Sequence, residues 1–331
     1  MITIGIETSC DETAIAVVKD GKVLSNEVSS SVHLHSQYGG VVPEIASRYH
    51  TEYIYTVFKK SMDDAGLTPK DIELIAVTKG PGLPGSLLVG ISFAKSLSYA
   101  LNIPLVGVNH LYSHVFSAFI GKNVKVQDML PFTGMIISGG HTTIYDFSDI
   151  LRGDILGETL DDAVGEAYDK VAKILGLGYP GGPVVEERAK RNGGRQEIKF
   201  PRSFMKESPG IDFSFSGIKT AIMYYWKDAK KTEDEKDRVC FSFQRAVTDI
   251  IDRKIADAAD RTGMKRFVVG GGVLCNSAIR GVVEERCREE GVELFMPDRQ
   301  YCTDNGAMTA FLGEMLYIKG VKSDLYLNVE I

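Results

Sequence analysis

The stretch Thr3-Ile4-Gly5-Ile6-Glu7-Thr8-Ser9-Cys10-Asp11-Glu12-Thr13-Ala14-Ile15-Ala16-Val17-Val18 reads as strand, polar turn, strand. Residues 3–7 and 14–18 carry the apolar pattern of strands, and the residues between them are polar. After the Asp20-Gly21 turn a third strand is expected at 23–28. About 130 residues later the theme returns. Residues 132–137 are apolar, Ser138-Gly139-Gly140-His141-Thr142 is a small polar turn, and 143–147 are apolar again. Two such hairpins alone would arise in any α/β protein with several strand–glycine–strand units. A third element favours duplication: residues 267–269 form a strand entering Gly270-Gly271-Gly272, with Asn276 and a helix to follow. That layout belongs to α/β folds that hold a nucleotide between two lobes.

Between the hairpins, an amphipathic helix is expected at 42–65 and a buried strand at 72–78. The strand runs into Lys79-Gly80-Pro81-Gly82-Leu83-Pro84-Gly85-Ser86, opening a helix at 87–101, and another short strand at 105–108 ends at Asn109-His110. The 331 residues suit two domains. With 44% hydrophobic and 25% charged residues the chain has the profile of a folded protein. A formal charge of -6 and a pI near 5.6 argue against a general polyanion binder, so any nucleic-acid contact must be local or shared with a partner. The five cysteines, at 10, 240, 275, 287 and 302, are odd in number and form no C-x-x-C pair. They suggest neither a disulfide framework nor a zinc knuckle, and a reducing compartment fits. No signal-peptide pattern opens the chain and no apolar run is long enough for a bilayer, so a cytoplasmic protein without a membrane partner is expected. Residues 186–206 hold seven Lys/Arg against three Asp/Glu, either a solvated surface or a local phosphate contact. Residues 227–238 mix both signs and read as an exposed loop.

His110-Leu111-Tyr112-Ser113-His114 puts two imidazoles four apart, on one face of a helix if one begins there. The spacing suits capture of a transition metal, or else a satisfied polar patch. It resembles the H-E-x-x-H helix of zinc proteases, but Leu111 stands where the general-base glutamate would be. In Cys302-Thr303-Asp304-Asn305, Thr303 or Asp304 could cap the helix expected from about 306 to 317. The alternative is that Asp304 turns toward the histidines as a third ligand. Gly139 and Gly140, and Gly271 and Gly272, let backbone amides approach an anionic or flat ligand, and Pro180-Gly181-Gly182-Pro183 would do likewise. No P-loop and no G-x-G-x-x-G dinucleotide fingerprint is present. The carboxylates nearest these loops are Asp11, Glu12, Asp161, Asp162, Glu166 and Asp169. The spacing of Asp162, Glu166 and Asp169 places them on one helical face, which could also be an ordinary acidic surface.

Taken in order, nine strings resemble one family. They are Gly5-Ile6-Glu7-Thr8-Ser9-Cys10-Asp11-Glu12-Thr13, Gly39-Gly40-Val41-Val42-Pro43-Glu44, Gly80-Pro81-Gly82 and the Asn109-His110 to His114 run, then Ser138-Gly139-Gly140-His141-Thr142, Gly165-Glu166-Ala167-Tyr168-Asp169-Lys170, Tyr179-Pro180-Gly181-Gly182-Pro183, Phe213-Ser214-Phe215-Ser216-Gly217-Ile218-Lys219-Thr220 and Cys302-Thr303-Asp304-Asn305. The family is the bacterial tRNA N6-adenosine threonylcarbamoyltransferases (TsaD, also YgjD or Gcp). The resemblance implies a two-lobed actin/Hsp70-like (ASKHA) fold of duplicated RNase H-like domains. One lobe would comprise residues 1–109 plus 305–331, the other 110–304 with an insertion around 176–240, and the nucleotide and metal would sit in the cleft between them. It implies one divalent metal, Fe2+ ahead of Zn2+, on His110, His114 and Asp304. Ile136, Ile137, Ser138, Gly139, Gly140, Asp169, Gly182 and Asn276 would meet the adenylate, with Glu186 an addition at a position where members vary. The glycine run before Asn276 departs modestly from the family's usual Ala-Gly-Gly or Val-Gly-Gly.

The implied reaction moves threonylcarbamoyl from threonylcarbamoyl-AMP to N6 of adenosine 37 in tRNAs reading codons that begin with A, and ATP or ADP would also fit the nucleotide site. Asp11 or Glu12 are the candidates to take the N6 proton. Implied partners are tRNA, TsaB, TsaE and a TsaC/Sua5-type synthase that supplies the adenylate. The rival readings are a metalloprotease (O-sialoglycoprotein endopeptidase), a small-molecule kinase, and a non-enzymatic nucleotide-binding scaffold.

Overall fold

The computed structural model describes residues 1–194, 197–203 and 210–330. Strands β1 (Ile2–Glu7), β2 (Glu12–Lys19), β3 (Lys22–Ser30), β4 (Leu74–Gly80) and β5 (Leu105–Asn109) form one sheet in the order β3-β2-β1-β4-β5. Strands β6 (Phe132–Ile137), β7 (Thr142–Asp149), β8 (Arg152–Glu158), β9 (Arg266–Gly270) and β10 (Glu293–Phe295) form a second, in the order β10-β9-β6-β7-β8. Read backwards, the second order is the first with five added to each number. The senses agree too: in each sheet the first three strands are antiparallel neighbours, and the last two lie parallel to the first. The fold is therefore α/β with a duplicated sheet, as the paired hairpins indicated.

The α-helices are α1 (Val32–His35), α2 (Pro43–Ala65), α3 (Pro84–Leu101), α4 (His110–Phe116), α5 (Val126–Met129), α6 (Val164–Leu175), α7 (Gly181–Asn192), α8 (Ser216–Asp228), α9 (Glu233–Thr262), α10 (Ser277–Glu289) and α11 (Gly306–Ile318). Parallel neighbours need crossovers, and helices supply them: α2 between β3 and β4, α3 between β4 and β5, α10 between β9 and β10. No helix among the described residues is long and apolar enough to cross a membrane.

Two compact units result, residues 1–126 with 296–331, and residues 127–295. The boundaries differ from the expected 109/110 and 304/305. The reason is that α4 continues directly from β5 and packs against α11, which keeps both with the first sheet. The mixed-sign stretch 227–238 is a loop only at 229–232; the rest is the end of α8 and the first turns of α9, whose side-chain cap is Thr232. Of the basic run 186–206, residues 195–196 and 204–206 lie outside the described residues. Within the described part Arg188 pairs with Glu233 and Asp237, Lys190 with Glu186, Arg191 with Glu187, and Arg202 with Glu197 and Asp249. Those cations are largely neutralised internally, which favours a solvated surface over a phosphate contact.

In the first unit the period-two pattern of β1 sorts its side chains between two faces. Ile4 and Ile6, with Ile15 and Val17 of β2, join Ile54, Val57, Phe58 and Met62 of α2 and Ile91 of α3 in one core. On the opposite face Gly5 of β1 meets the first turn of α11. A Cβ on Gly5 would lie 2.2 Å from the Gly306 carbonyl oxygen, and one on Gly306 would lie 2.4 Å from the Ala16 nitrogen. A Cβ on Gly313, two turns on, would lie 2.2 Å from the Ala76 Cβ of β4. Backbone therefore packs on backbone at the start of α11 and on the Ala76 methyl further along, and no larger side chain fits between.

Because backbone atoms cannot swing aside, Gly306→Val should cost about 3 kcal/mol, at the upper end of overpacking penalties. Gly281→Ala on α10, with nothing within 4 Å, should instead gain up to about 1 kcal/mol from its better helix propensity. Thermal and denaturant unfolding of the two variants checks both directions.

Candidate metal and nucleotide sites

Helix α4 begins where β5 ends. Asn109 caps it, its side chain accepting from the Tyr112 amide at 3.0 Å, so His110 is the first helical residue and His114 lies one turn on. At the start of α11 the capping residue is Asn305, whose Oδ1 accepts from the Met308 amide at 3.0 Å. Neither Thr303 nor Asp304 fills that role. Asp304 faces the histidines: its Oδ1 is 2.9 Å from His114 Nε2 and 3.8 Å from His110 Nε2. The two rings lie 4.7 Å apart, nearly perpendicular, and one donor atom from each of the three residues falls within 4.8 Å of the others.

A residue that sequence reasoning passed over completes this site. Glu7, at the end of β1, is fully buried. Its Oε2 lies 3.1 Å from His110 Nδ1 and accepts from the Thr78 hydroxyl at 2.5 Å, while its Oε1 accepts from the Ser9 amide at 2.6 Å. Ser9 Oγ also approaches His110 Nδ1, at 3.2 Å. A carboxylate on Nδ1 fixes the ring and leaves Nε2 facing Asp304, the arrangement that orients ligating histidines. The available signal was the strand period, which sends position 7 to the same face as Gly5. Burial disfavours the imidazolium of His110, but the carboxylates of Glu7 and Asp304 outweigh it and raise His110 to about 9. Glu7 shifts downward: burial opposes its charge and His110 overcomes that.

Asp11 and Glu12 border this cluster. Asp11 is buried, and Glu12 is half-buried with Oε1 accepting from Ser30 Oγ at 3.2 Å. Burial, then the charges of Asp304 and Asp11, hold the Glu12 carboxyl well above the ordinary range. The same burial and neighbouring carboxylates push the Cys10 thiol up, so it stays protonated. Glu7 and Asp304 thus meet the two imidazoles, with Glu12 close enough to feel the charges of Asp304 and Asp11, an environment that favours a cation. His114 Nδ1 is buried without a hydrogen-bond partner, so Nε2 toward Asp304 carries that ring's polar contacts. Two imidazoles and one carboxylate are a donor set that non-haem Fe(II) and Zn(II) both accept. The residues present fit such a metal.

In the second unit the nucleotide candidates gather at one end of the second sheet. Ile136 and Ile137 are buried at the end of β6. The turn after them closes by Ser138 N donating to His141 O at 2.8 Å. Gly165, in the first turn of α6, lies against Gly139 so closely that a Cβ would stand 2.7 Å from its Cα. Asp169 Oδ1 accepts from Gly181 N at 2.7 Å and holds the start of α7 to α6. Glu186 Oε1 accepts from Ser277 N at 2.9 Å, tying α7 to the start of α10. Asn276 caps α10 through Oδ1 and donates through Nδ2 to Gln244 Oε1 at 3.0 Å. Glu186 and Asn276 are thus engaged within the unit. Gly139, Gly140 and Gly182 differ, because a Cβ on any of them would meet nothing within 4 Å. Internal packing does not demand glycine there, whereas a ligand lying on the backbone would.

Two of the other acidic residues have structural partners. Asp161 Oδ1 accepts from the Phe215 and Ser216 amides at 2.8 and 3.2 Å, holding the start of α8. Asp162 precedes α6 rather than lying on it, and pairs with Lys170 and Lys219. The single helical face expected for Asp162, Glu166 and Asp169 does not form.

Removing Glu7's charge should loosen the metal without removing a ligand. Glu7→Gln should weaken affinity about 10- to 100-fold, and His114→Ala or Asp304→Ala should abolish stoichiometric binding, measured by elemental analysis after dialysis. A metal must also displace the proton that the apo site keeps on His110 up to about 9. Apparent affinity should therefore rise with pH across neutrality, with proton release visible by calorimetry in buffers of different ionisation enthalpy.

A family model described as "TsaD: tRNA N6-adenosine threonylcarbamoyltransferase" matches residues 22–311. Curated proteins of the same descriptive name align over nearly the full length. One from Thermodesulfovibrio yellowstonii is 47% identical over 99% of this chain and 98% of its own. One from Dictyoglomus turgidum is 49% identical over 99% and 97%. Among solved structures, component A of (R)-2-hydroxyglutaryl-CoA dehydratase from Acidaminococcus fermentans is 16% identical, with a TM-score of 0.53 over 95% of this chain and 98% of that one. The Clostridium difficile activator of 2-hydroxyisocaproyl-CoA dehydratase, solved with bound ADPNP, is 20% identical, with a TM-score of 0.52 over 98% and 99%. These two likenesses bear on the fold alone, the actin-like α/β fold.

Proposed function

The chain belongs to the tRNA N6-adenosine threonylcarbamoyltransferase family, and from that premise we propose that it transfers the threonylcarbamoyl group of threonylcarbamoyl-AMP to N6 of adenosine 37 in tRNAs reading codons that begin with A. The observation that carries this reading is identity of 47–49% over nearly the whole length to proteins of that name. The intact His110, His114 and Asp304 cluster supports it.

In the reaction the exocyclic N6 attacks the acyl carbon of the mixed anhydride. A C–N bond forms, the C–O bond to the phosphate breaks, and AMP leaves with the electron pair. An adenine amine is a weak nucleophile, so a carboxylate that takes its proton lowers the barrier. Glu12 and Asp11 are the candidates for that task, and Glu12 is taken first because burial and the neighbouring carboxylates raise its affinity for a proton. A metal on His110, His114 and Asp304, Fe2+ ahead of Zn2+, would supply Lewis-acid polarisation of an acyl oxygen. The open backbone of Gly139, Gly140 and Gly182 would seat the adenylate, with Ile136 and Ile137 beneath it and Asp169 holding the start of α7. ATP or ADP would fit the same surface. The acidic net charge fits work in a complex, with TsaB and TsaE as partners and a TsaC/Sua5-type synthase as the source of the adenylate, in the cytoplasm.

The protease reading lacks its base, since position 111 is a buried leucine. The kinase and scaffold readings have no observation in their favour that the transferase reading lacks.

With threonine-labelled threonylcarbamoyl-AMP, the wild-type chain and its partners should label tRNA. Glu12→Gln should keep its metal and slow transfer about 10²- to 10⁴-fold. If Asp11→Asn shows that loss instead, the base is Asp11. Gly182→Ala should unfold at the wild-type temperature yet bind the adenylate more weakly; unchanged affinity would remove Gly182 from the nucleotide site.

A further inference from the structure

The loop from β1 to β2 carries Ser9, which touches His110, and ends on Asp11 and Glu12. It contains no glycine, yet three consecutive carbonyls in it are each bound from a different element. Ser9 O accepts from Leu83 N at 2.7 Å. Cys10 O lies 2.9 Å from Nε2 of His50, a fully buried residue of α2. Asp11 O accepts from both the amide and the hydroxyl of Ser31, each at 2.9 Å.

Behind each of the last two contacts stands a buried imidazole whose tautomer the neighbours settle. His35 Nδ1 accepts from the Val42 amide at 3.2 Å, so its proton is on Nε2, directed at Ser31 Oγ 3.0 Å away. The Ser31 hydroxyl then donates onward to Asp11 O. His50 Nε2 faces a carbonyl and must carry the proton, so its Nδ1 accepts from the Thr13 hydroxyl at 2.8 Å. Burial also holds His50 below its ordinary pKa, in keeping with a neutral ring. Neutral imidazole offers one donor and one acceptor. Here both are used to tie the loop to α2 and to β2, while the second relay ties it to the residue that opens α2.

We propose that His50, with His35 behind it, is a positioning residue for the reaction, setting where Asp11 and Glu12 stand relative to His110, His114 and Asp304. This rests on the transferase reading. Neither histidine touches substrate; each acts through the backbone carbonyl beside a carboxylate. Displacing a reacting group by about 1 Å costs about 100-fold in rate, so a loop held at three successive carbonyls is what such chemistry requires.

The test is single-turnover and steady-state transfer to tRNA by the complete complex containing His50→Ala, His50→Gln or Thr13→Val. His50→Ala should lose about 10- to 100-fold in kcat, with KM for tRNA and metal content unchanged. His50→Gln, whose amide can donate to Cys10 O and accept from Thr13, should recover part of the loss. A wild-type kcat in a variant of lowered melting temperature would overturn the proposal, as would loss of metal in step with activity. Should His50→Ala not fold, the near-isosteric Thr13→Val carries the same comparison. If the wild type itself transfers nothing, the transferase reading fails, and amide exchange of Thr13→Val then decides: acceleration confined to residues 9–13 supports positioning, and unchanged exchange refutes it.

Discussion

The constraint on which the first unit depends is the contact of α11 with β1 and β2 through glycine. Gly5 and Gly306 bring backbone within reach of backbone, and Gly313 over Ala76 continues the seam. Asn305 caps the helix, so Asp304, one residue earlier, is left to face α4. Glu7, two residues beyond Gly5 on the same strand face, comes to lie under His110 and also meets Thr78, which touches Thr309 of α11 at 3.1 Å. The packing that makes the helix lie flat thus also assembles the ligands.

Electrostatics then gives the cluster its character. Glu7, Asp11, Glu12 and Asp304 crowd one end of a five-stranded sheet. Each buried carboxylate costs free energy unless hydrogen bonds or a cation compensate it. Glu7 receives the Ser9 amide, the Thr78 hydroxyl and His110; Glu12 receives one hydroxyl and retains a raised pKa. That asymmetry separates a carboxylate that orients from one that accepts a proton. The second unit uses a different device, open glycine backbone bounded by the first turns of α6, α7 and α10, which suits a flat or anionic ligand.

Much of this was legible in the residues. The hairpins at 3–18 and 132–147 read as apolar runs flanking a polar turn, and the two sheets repeat one another strand for strand. The spacing of His110 and His114 offered a metal pair or a satisfied polar patch, on one helical face if a helix began there, and α4 does begin at His110. What could not be read was tertiary. Capping chemistry is shared by Thr, Asp and Asn, so which of 303, 304 and 305 would cap α11 depended on how the helix docks. Asp162 looked helical by spacing, but the chain enters α6 only at Val164. Residues 227–238 looked like a loop because they mix both signs of charge, whereas the acidic first turn of α9 is a favourable helix start. Glu7, His35 and His50 act through partners distant in sequence, and no local pattern announces a buried carboxylate or a buried imidazole relay. The unit boundary moved for the same reason, since α4 is adjacent in sequence to either sheet but packs with α11.

The most direct measurement is anomalous diffraction at the iron edge from crystals grown with Fe2+. The account predicts one peak per chain, about 2.0–2.2 Å from a ring nitrogen of His110, a ring nitrogen of His114 and a carboxylate oxygen of Asp304, distances usual for such ligands. A peak elsewhere, or none in a preparation that modifies tRNA at full rate, would contradict it.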